Sequence, residues 1–397
     1  MIDTIFIGMS GLSGYSSGLR VIANNTANLN TPGFKSSTMQ FTDMFYSAGG
    51  GSGGPAGTFG AQFGFGLSTT TAALNFRQGE LRQTGNEFDL AVNGQGLFLL
   101  RDEGSAELRY TRAGQFEFNA DGLLVNRADG AHVMARSASG TLSDINISEL
   151  RMGAPKATGA VAFAGNLSST EASAAVSGVK VIDANGAEHL LSLNFSSQST
   201  EQAGRWKIKL SDGSKEVGTA TIDFTDGKPT AETSKPSFSY TPSGQPEMTI
   251  VLDFSDRVTS FASGTLSTLA AASQDGFVAA AISKVGFDDK GVMQLEYTNG
   301  QKTQGPRLAL ARFDSPELLL PLGGNAFKAV EGAATDIGVA GTGAFGALRS
   351  GTVEISNVDL SQEFSDLVIM QRGYQASSQV ISTANEMLQE LFGMRGR

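Results

Sequence analysis

The chain has 397 residues, and 29 Lys+Arg against 39 Asp+Glu leave a net charge of −10 at pH 7. At roughly 150 residues per domain that length predicts two or three domains, and the acidity leaves no positive field for nucleic acid or anionic lipid. With no Cys and only His132 and His189, disulfides, thiolate chemistry and cysteine metal sites are excluded, and histidine chemistry nearly so.

The N-terminus, MIDTIFIGMSGLSGYSSGLR, has neither the basic start nor the unbroken apolar run of a cleaved secretory signal. No stretch of about 18 apolar residues predicts a membrane span either. Ile2, Ile5, Met9, Leu12, Ser16, Leu19, Ala23 and Thr26 recur at alternating spacings of three and four, a heptad seam that predicts a helix. Gly8, Gly11, Gly14 and Gly18 interrupt it, each costing ~1 kcal/mol relative to Ala, so this helix needs a partner.

Phe41-Thr42-Asp43-Met44-Phe45 puts two aromatics four apart, on one face if the stretch is helical. The Gly-rich run over residues 47–67 reads as a flexible linker. Beyond it the pattern changes to period two. Phe116 and Phe118 turn at Asn119-Ala120-Asp121-Gly122 into Leu123 and Val125, which predicts a β-hairpin. A second hairpin turns at Asp183-Ala184-Asn185-Gly186, and a third follows RWKIKL at Asp212-Gly213. Phe287-Asp288-Asp289-Lys290-Gly291 reads as a turn more simply than as a pair of catalytic acids.

At the far end Phe364, Leu367, Met370, Tyr374, Ser377, Ile381, Ala384, Leu388 and Leu391 again step by threes and fours. Asp359 with Gln362 resembles a capping box, and Gly393 is the expected stop. Asp3 and Arg20 are the only charges in residues 1–30, and none lies from Gly373 to Asn385, which suits helices covered on several sides. An intramolecular two-helix hairpin and an assembly interface are both compatible with these seams.

The expected fold class is α+β, with N- and C-terminal α-helices forming a coiled-coil-like inner domain and nested, discontinuous, mostly-β domains. Residues 1–30 with 358–397 form the helical domain and 31–70 a connecting segment. Residues 71–150 with 273–357 form an inner β domain, and 151–272 an outer one.

Enzymatic threads are thin. Gly14-Tyr15-Ser16-Ser17-Gly18 matches a nucleophile elbow, which needs a strand before it, but here Ser16 sits on a helical seam. No phosphate loop, zinc helix or complete EF-hand spacing is present, so no cofactor is expected.

Four segments then point to one family. ANNTANLNTPGFK (residues 23–35) followed by FTDMF resembles the N-terminal signature of the axial proteins of the bacterial flagellum, the rod, hook and hook-associated proteins. NVDLSQEFSDLVIMQRGYQASSQVISTANEML (357–388) resembles their C-terminal signature, and LAVNGQGLFLL and YTRAGQFEFNADGLLVN fit between. Within the family, the segment over 151–272 resembles hook-type members, since the distal rod type is shorter and lacks it. VKVIDANGAEHLLSLNF and GFDDKGVMQLEYTNGQ agree.

The resemblance implies a non-enzymatic subunit that polymerises into a flexible, curved tube around an export channel. The seam residues Ile2, Ile5, Met9, Leu12, Leu19, Phe364, Leu367, Met370, Tyr374, Ile381, Leu388 and Leu391 are then its assembly interface. It further implies export through the flagellar type III apparatus without a cleaved signal, with Phe41 and Phe45 matching the aromatic motif read at the export gate. The partners implied are further copies of the chain, a hook cap, the distal rod and the hook-filament junction protein. A distal rod subunit and a secreted β-rich adhesin remain the rival readings.

Overall fold

The computed structural model describes residues 2–44, 46–48, 62–69, 72–199 and 202–395. The chain divides into two compact units, one of Met1–Ser148, Val285–Gln294 and Gln304–Arg397, the other of Glu149–Lys284 and Leu295–Thr303. The division falls inside the strands Ala280–Phe287, Val292–Tyr297 and Lys302–Arg307.

The first unit holds both long helices, α1 (Ile2–Ala27) and α2 (Leu360–Arg395). Asp359 caps α2 through its carboxylate, which accepts the Ser361 and Gln362 N–H groups at 2.9 and 3.3 Å. Gln362 does not complete the box: its amide donates to Asp366 at 3.0 Å. Nor does Gly393 stop the helix: it does not adopt the positive φ of a C-terminal cap, and the helix continues to Arg395.

The β part of this unit is a ten-stranded sheet in which Leu97–Arg101 is flanked by Leu108–Thr111 and His132–Arg136. Its Leu99, Met134, Ala309 and Phe327 are buried together, and Phe98 meets Phe116 edge-on at 5.0 Å. The expected turn at Asn119 forms, with Gly122 donating to the Asn119 carbonyl at 3.0 Å. At 288–291 Asp288 accepts the Lys290 and Val292 N–H groups at 3.0 and 2.8 Å, which makes it a turn residue.

Short pairings tie the two chain ends together: Thr352–Glu354 with Leu81–Gln83, and Ala347–Ser350 with Leu90–Asn93. The stretch read as a linker is bounded by paired strands, Phe41–Asp43 with Leu67–Thr69 and Tyr46–Ala48 with Gln62–Gly64. Its centre lies outside the described residues.

The second unit is all β. A five-stranded meander from Ser173 to Pro229 and a four-stranded sheet containing Ala160–Asn166 and Met248–Thr259 share one core, where Trp206, Phe195, Phe254 and Ile250 are buried. The expected turns at Asp183 and Asp212 both form, with Gly186 donating to the Asp183 carbonyl at 3.0 Å.

Candidate assembly site

The two helices run antiparallel, because Gly8 meets Ile381, Gly11 meets Ser377 and Gly18 meets Met370. A Cβ on Gly8 would lie 2.7 Å from Ile381 Cγ1, and one on Gly373 would lie 2.5 Å from the Tyr15 ring. The face of α1 turned to α2 is thus Gly8, Gly11, Tyr15, Gly18, continuing through the buried Ile22 and Asn25 at the same three-four spacing. That stripe lies one residue ahead of the apolar seam read from the sequence. Close approach selects it, since glycine leaves room for backbone-to-side-chain contact that Ile5 or Met9 would prevent.

On α2 the seam positions Met370, Ser377 and Ile381 face α1, and Leu367 and Leu388 are half-buried. Ile5, Leu12 and Leu19 are half-buried, whereas Met9, Phe364, Tyr374 and Leu391 are exposed. They are joined outside by Phe6, Ile369 and Phe392, the last 71% exposed. The Ile2 side chain lies outside the described residues. Large apolar groups thus cover the outer faces of a helix pair whose inner contact sets glycines against Ile381, Ser377, Met370 and Tyr15. Surfaces of that kind mark interaction sites.

Phe41 lies in a short strand and not in a helix, its ring 5.8 Å from Tyr15 and partly exposed. Phe45 falls outside the described residues. Ser16 is in the middle of α1. His132 sits 3.6 Å from Asp144, and His189 Nε2 is 3.0 Å from Asp183, a hydrogen bond that holds the Asp183 carboxyl below its usual value.

The sequence reading missed the groups that fasten the helices to the sheet. Glu354, fully buried, accepts Lys35 Nζ at 2.6 Å on one oxygen and Arg112 Nε at 2.6 Å on the other. The Gly79 N–H adds 2.9 Å to the first oxygen. Arg112 donates also to the carbonyls of Val92 at 2.7 Å, Gly94 at 2.6 Å and Gly96, and Lys35 to that of Arg77 at 2.8 Å. Burial pushes the Glu354 carboxyl up, but Arg112 and Lys35 outweigh it and hold the group below its ordinary range. Lys35 is pulled down by the same burial, which its attraction to Glu354 only partly offsets.

The terminal signatures supply the remaining fasteners. Asn25 accepts the Ser37 N–H at 3.0 Å and donates to Glu363 at 2.9 Å. Burial raises the Glu363 pKa, opposed by that bond. Asn357 accepts the Ser36 N–H at 2.8 Å and donates to Asn75 at 2.7 Å. Gly33 adopts φ +71°, and a Cβ there would strike the Ala113 backbone, so no other residue fits. Asn25, Gly33 and Lys35 stood in the recognised N-terminal segment; Glu354 stood alone, with no motif to flag it.

Comparison with known proteins follows this geometry. Residues 5–35 match the family described as flagella basal body rod protein, 91–167 the flagellar hook protein FlgE/F/G D1 domain, and 349–394 the flagellar basal body rod FlgEFG protein C-terminal family. The flagellar hook protein FlgE of Borreliella burgdorferi is 29% identical over the full length of both chains. That of Escherichia coli is 28% identical over 98% of each. Among solved structures, the Helicobacter pylori flagellar hook protein FlgE2 aligns with a TM-score of 0.47 at 15% identity, over 69% of this chain and 100% of that one. Among the described residues no helix is long and apolar enough to cross a membrane.

Proposed function

We infer that this chain belongs to the flagellar hook protein family and is a structural subunit of the hook. The correspondence with hook proteins along the whole chain carries that reading. It places the protein in the flagellum, in a polymer of its own copies that associates with the rod. A distal rod subunit and an adhesin account less well for a full-length match to hook proteins.

The division of labour within the subunit is our proposal. The helix pair lines the inside of the tube, and the outward residues Met9, Phe364, Tyr374 and Leu391, with Phe6 and Phe392, bury against neighbouring copies. Fully burying a large apolar side chain yields ~1.5 to 3 kcal/mol, so a few such contacts exceed the ~4 kcal/mol helix-propensity cost of Gly8, Gly11, Gly14 and Gly18, while ordering entropy takes much of the gain. The Lys35-Glu354-Arg112 cluster passes torque from the helices into the sheet, because a buried ion cluster resists shear better than a swivelling apolar contact. The β unit of Glu149–Lys284 and Leu295–Thr303 supplies polar, adjustable contacts as the tube bends.

Export through the flagellar type III gate by way of Phe41 and Phe45 belongs to the same proposal, as do the hook cap and the hook-filament junction protein as partners. Electron microscopy of the full chain beside a chain lacking residues 1–30 and 358–397 tests it. Curved tubes from the full chain alone support the reading. Straight tubes return the rod, and tubes from the truncated chain remove the helices from the interface.

A further inference from the structure

Within the first unit a cleft of about 620 Å³ carries two charged side chains among its lining, the half-buried Arg136 and Arg307, and no carboxylate. Val292, Pro306 and Val339 give it an apolar lining, and Ser143 adds a hydroxyl. An antiparallel bridge joins Ala135 to Leu308, so the next residue along each strand, Arg136 and Arg307, stand opposite one another. Like charges so placed destabilise the pairing. Arg307 donates to the carbonyls of Lys290 at 2.9 Å and Ala340 at 3.0 Å, while the Arg136 side chain and the Ser143 hydroxyl have no hydrogen-bond partner among the described residues. The acids that neighbour the cleft along the chain are turned to other tasks. Asp144 holds Arg101 at 2.7 Å, Asp336 faces Arg312 at 3.6 Å, and Asp288 accepts the N–H groups of Lys290 and Val292 and the Gln294 amide. Neither they nor the exposed Asp289 line it.

We propose that this cleft binds a tetrahedral oxyanion, the phosphate or sulfate group of a small organic molecule. Two guanidiniums and a hydroxyl bring more donors to the cleft than the chain supplies acceptors for, and a group with several outward oxygens takes several of them at once. It also turns the repulsion across the strand pair into two attractions. A volume of about 620 Å³ lies in the range that admits a small molecule, so the carbon part of the ligand rests on Val292, Pro306 and Val339. The chain as a whole carries −10, and its far field opposes any anion. Recognition therefore rests on short charge-assisted bonds, which persist at an ionic strength that screens the far field. No residue of α1 or α2 lines the cleft, so the site does not depend on the hook reading.

Calorimetric titration of the full chain with glucose 6-phosphate, inorganic phosphate and glucose, at a fixed ionic strength of about 0.15 M, tests the site. Glucose 6-phosphate gives a saturable heat, inorganic phosphate a weaker one and glucose none. Arg136→Gln raises the dissociation constant for glucose 6-phosphate about tenfold, the size of one lost charge-assisted bond. Arg136→Lys keeps the charge without the planar fork and falls between. The Arg136 side chain holds no other part of the described chain, so both variants keep the wild-type fold, checked by circular dichroism. Ser143→Ala, at an exposed position, weakens binding about threefold and gives a second reading that leaves both arginines in place.

Absence of a saturable heat from both phosphates with the wild type overturns the proposal. Equal binding of glucose 6-phosphate by the wild type, Arg136→Gln and Ser143→Ala overturns it too, since the heat then arises elsewhere on the chain. Inorganic phosphate binding as tightly as the ester keeps the oxyanion site but overturns the organic carrier, and makes the free ion the occupant.

Discussion

The all-β unit and the helix pair treat their apolar side chains in opposite ways. In the β unit Trp206, Phe195 and Phe254 are at most 2% exposed, and two sheets close over them. In the helix pair Phe6, Ile369 and Phe392 are at least 60% exposed, while the contact sets glycines against Ile381, Ser377, Met370 and Tyr15. One region completes its core within a single chain. The other leaves large apolar side chains uncovered within a single chain, so the first should behave as a stable domain and, on the proposed hook reading, the second as an adhesive.

Mutations can break that contrast. Trp206→Ala empties the centre of a closed core and should cost ~3 to 5 kcal/mol, read as a large fall in the melting temperature of the monomer. Glu354→Gln leaves Lys35 and Arg112 buried without their counter-charge and should cost a similar ~3 to 5 kcal/mol, although no apolar contact is lost. If Glu354→Gln melts like the wild type, the ion cluster does not fasten the helices.

The same residue sharpens the comparison through pH. The folded-state pKa of Glu354 lies below its ordinary 4.5, so its contribution is complete above that value and is lost as pH falls through the folded value. Lys35 is lowered as well, and its contribution grows with rising pH in the alkaline range, away from this window. Wild-type stability should fall more steeply with acid below pH 4.5 than that of Glu354→Gln, followed by thermal melts across the range. Parallel curves would detach the acid sensitivity from this carboxylate.

Glycine substitutions are milder. Gly373→Ala drives a methyl into the Tyr15 ring and should destabilise by ~1 to 3 kcal/mol despite the better helix propensity of alanine. Gly393→Ala meets nothing within 4 Å and should add up to ~1 kcal/mol of helix stability, seen as increased helical circular dichroism. Phe392→Ser should leave monomer melting within ~0.5 kcal/mol of the wild type, as an exposed position does, yet abolish tube formation. A large loss of monomer stability there would show that this face is already covered within one chain.

The fold was legible where local chemistry decides it. Asn119-to-Gly122, Asp183-to-Gly186 and Asp288-to-Gly291 announce turns because Asx side chains and positive-φ glycines have few other uses. The two helices were legible from their periodicity, but not the face on which they meet. An apolar count favours Ile5 and Met9, whereas the contact is set by how closely two backbones can approach, which glycine decides. Glu354 was illegible because a single acid in a strand has no period and no motif. Its partners lie at Lys35 and Arg112, and only the folded chain brings them together.

Lys35 and Glu354 are separated by 319 positions along the chain. A contact of such high order closes a loop of nearly the whole polypeptide, and the entropy of that closure makes it a late event in folding. Until Glu354 has been synthesised, Lys35 keeps its water and the segment after the N-terminal helix has no carboxylate to clamp it. The clamp closes only when the C-terminal end of the polypeptide arrives, so a partly made chain leaves its two ends unfastened.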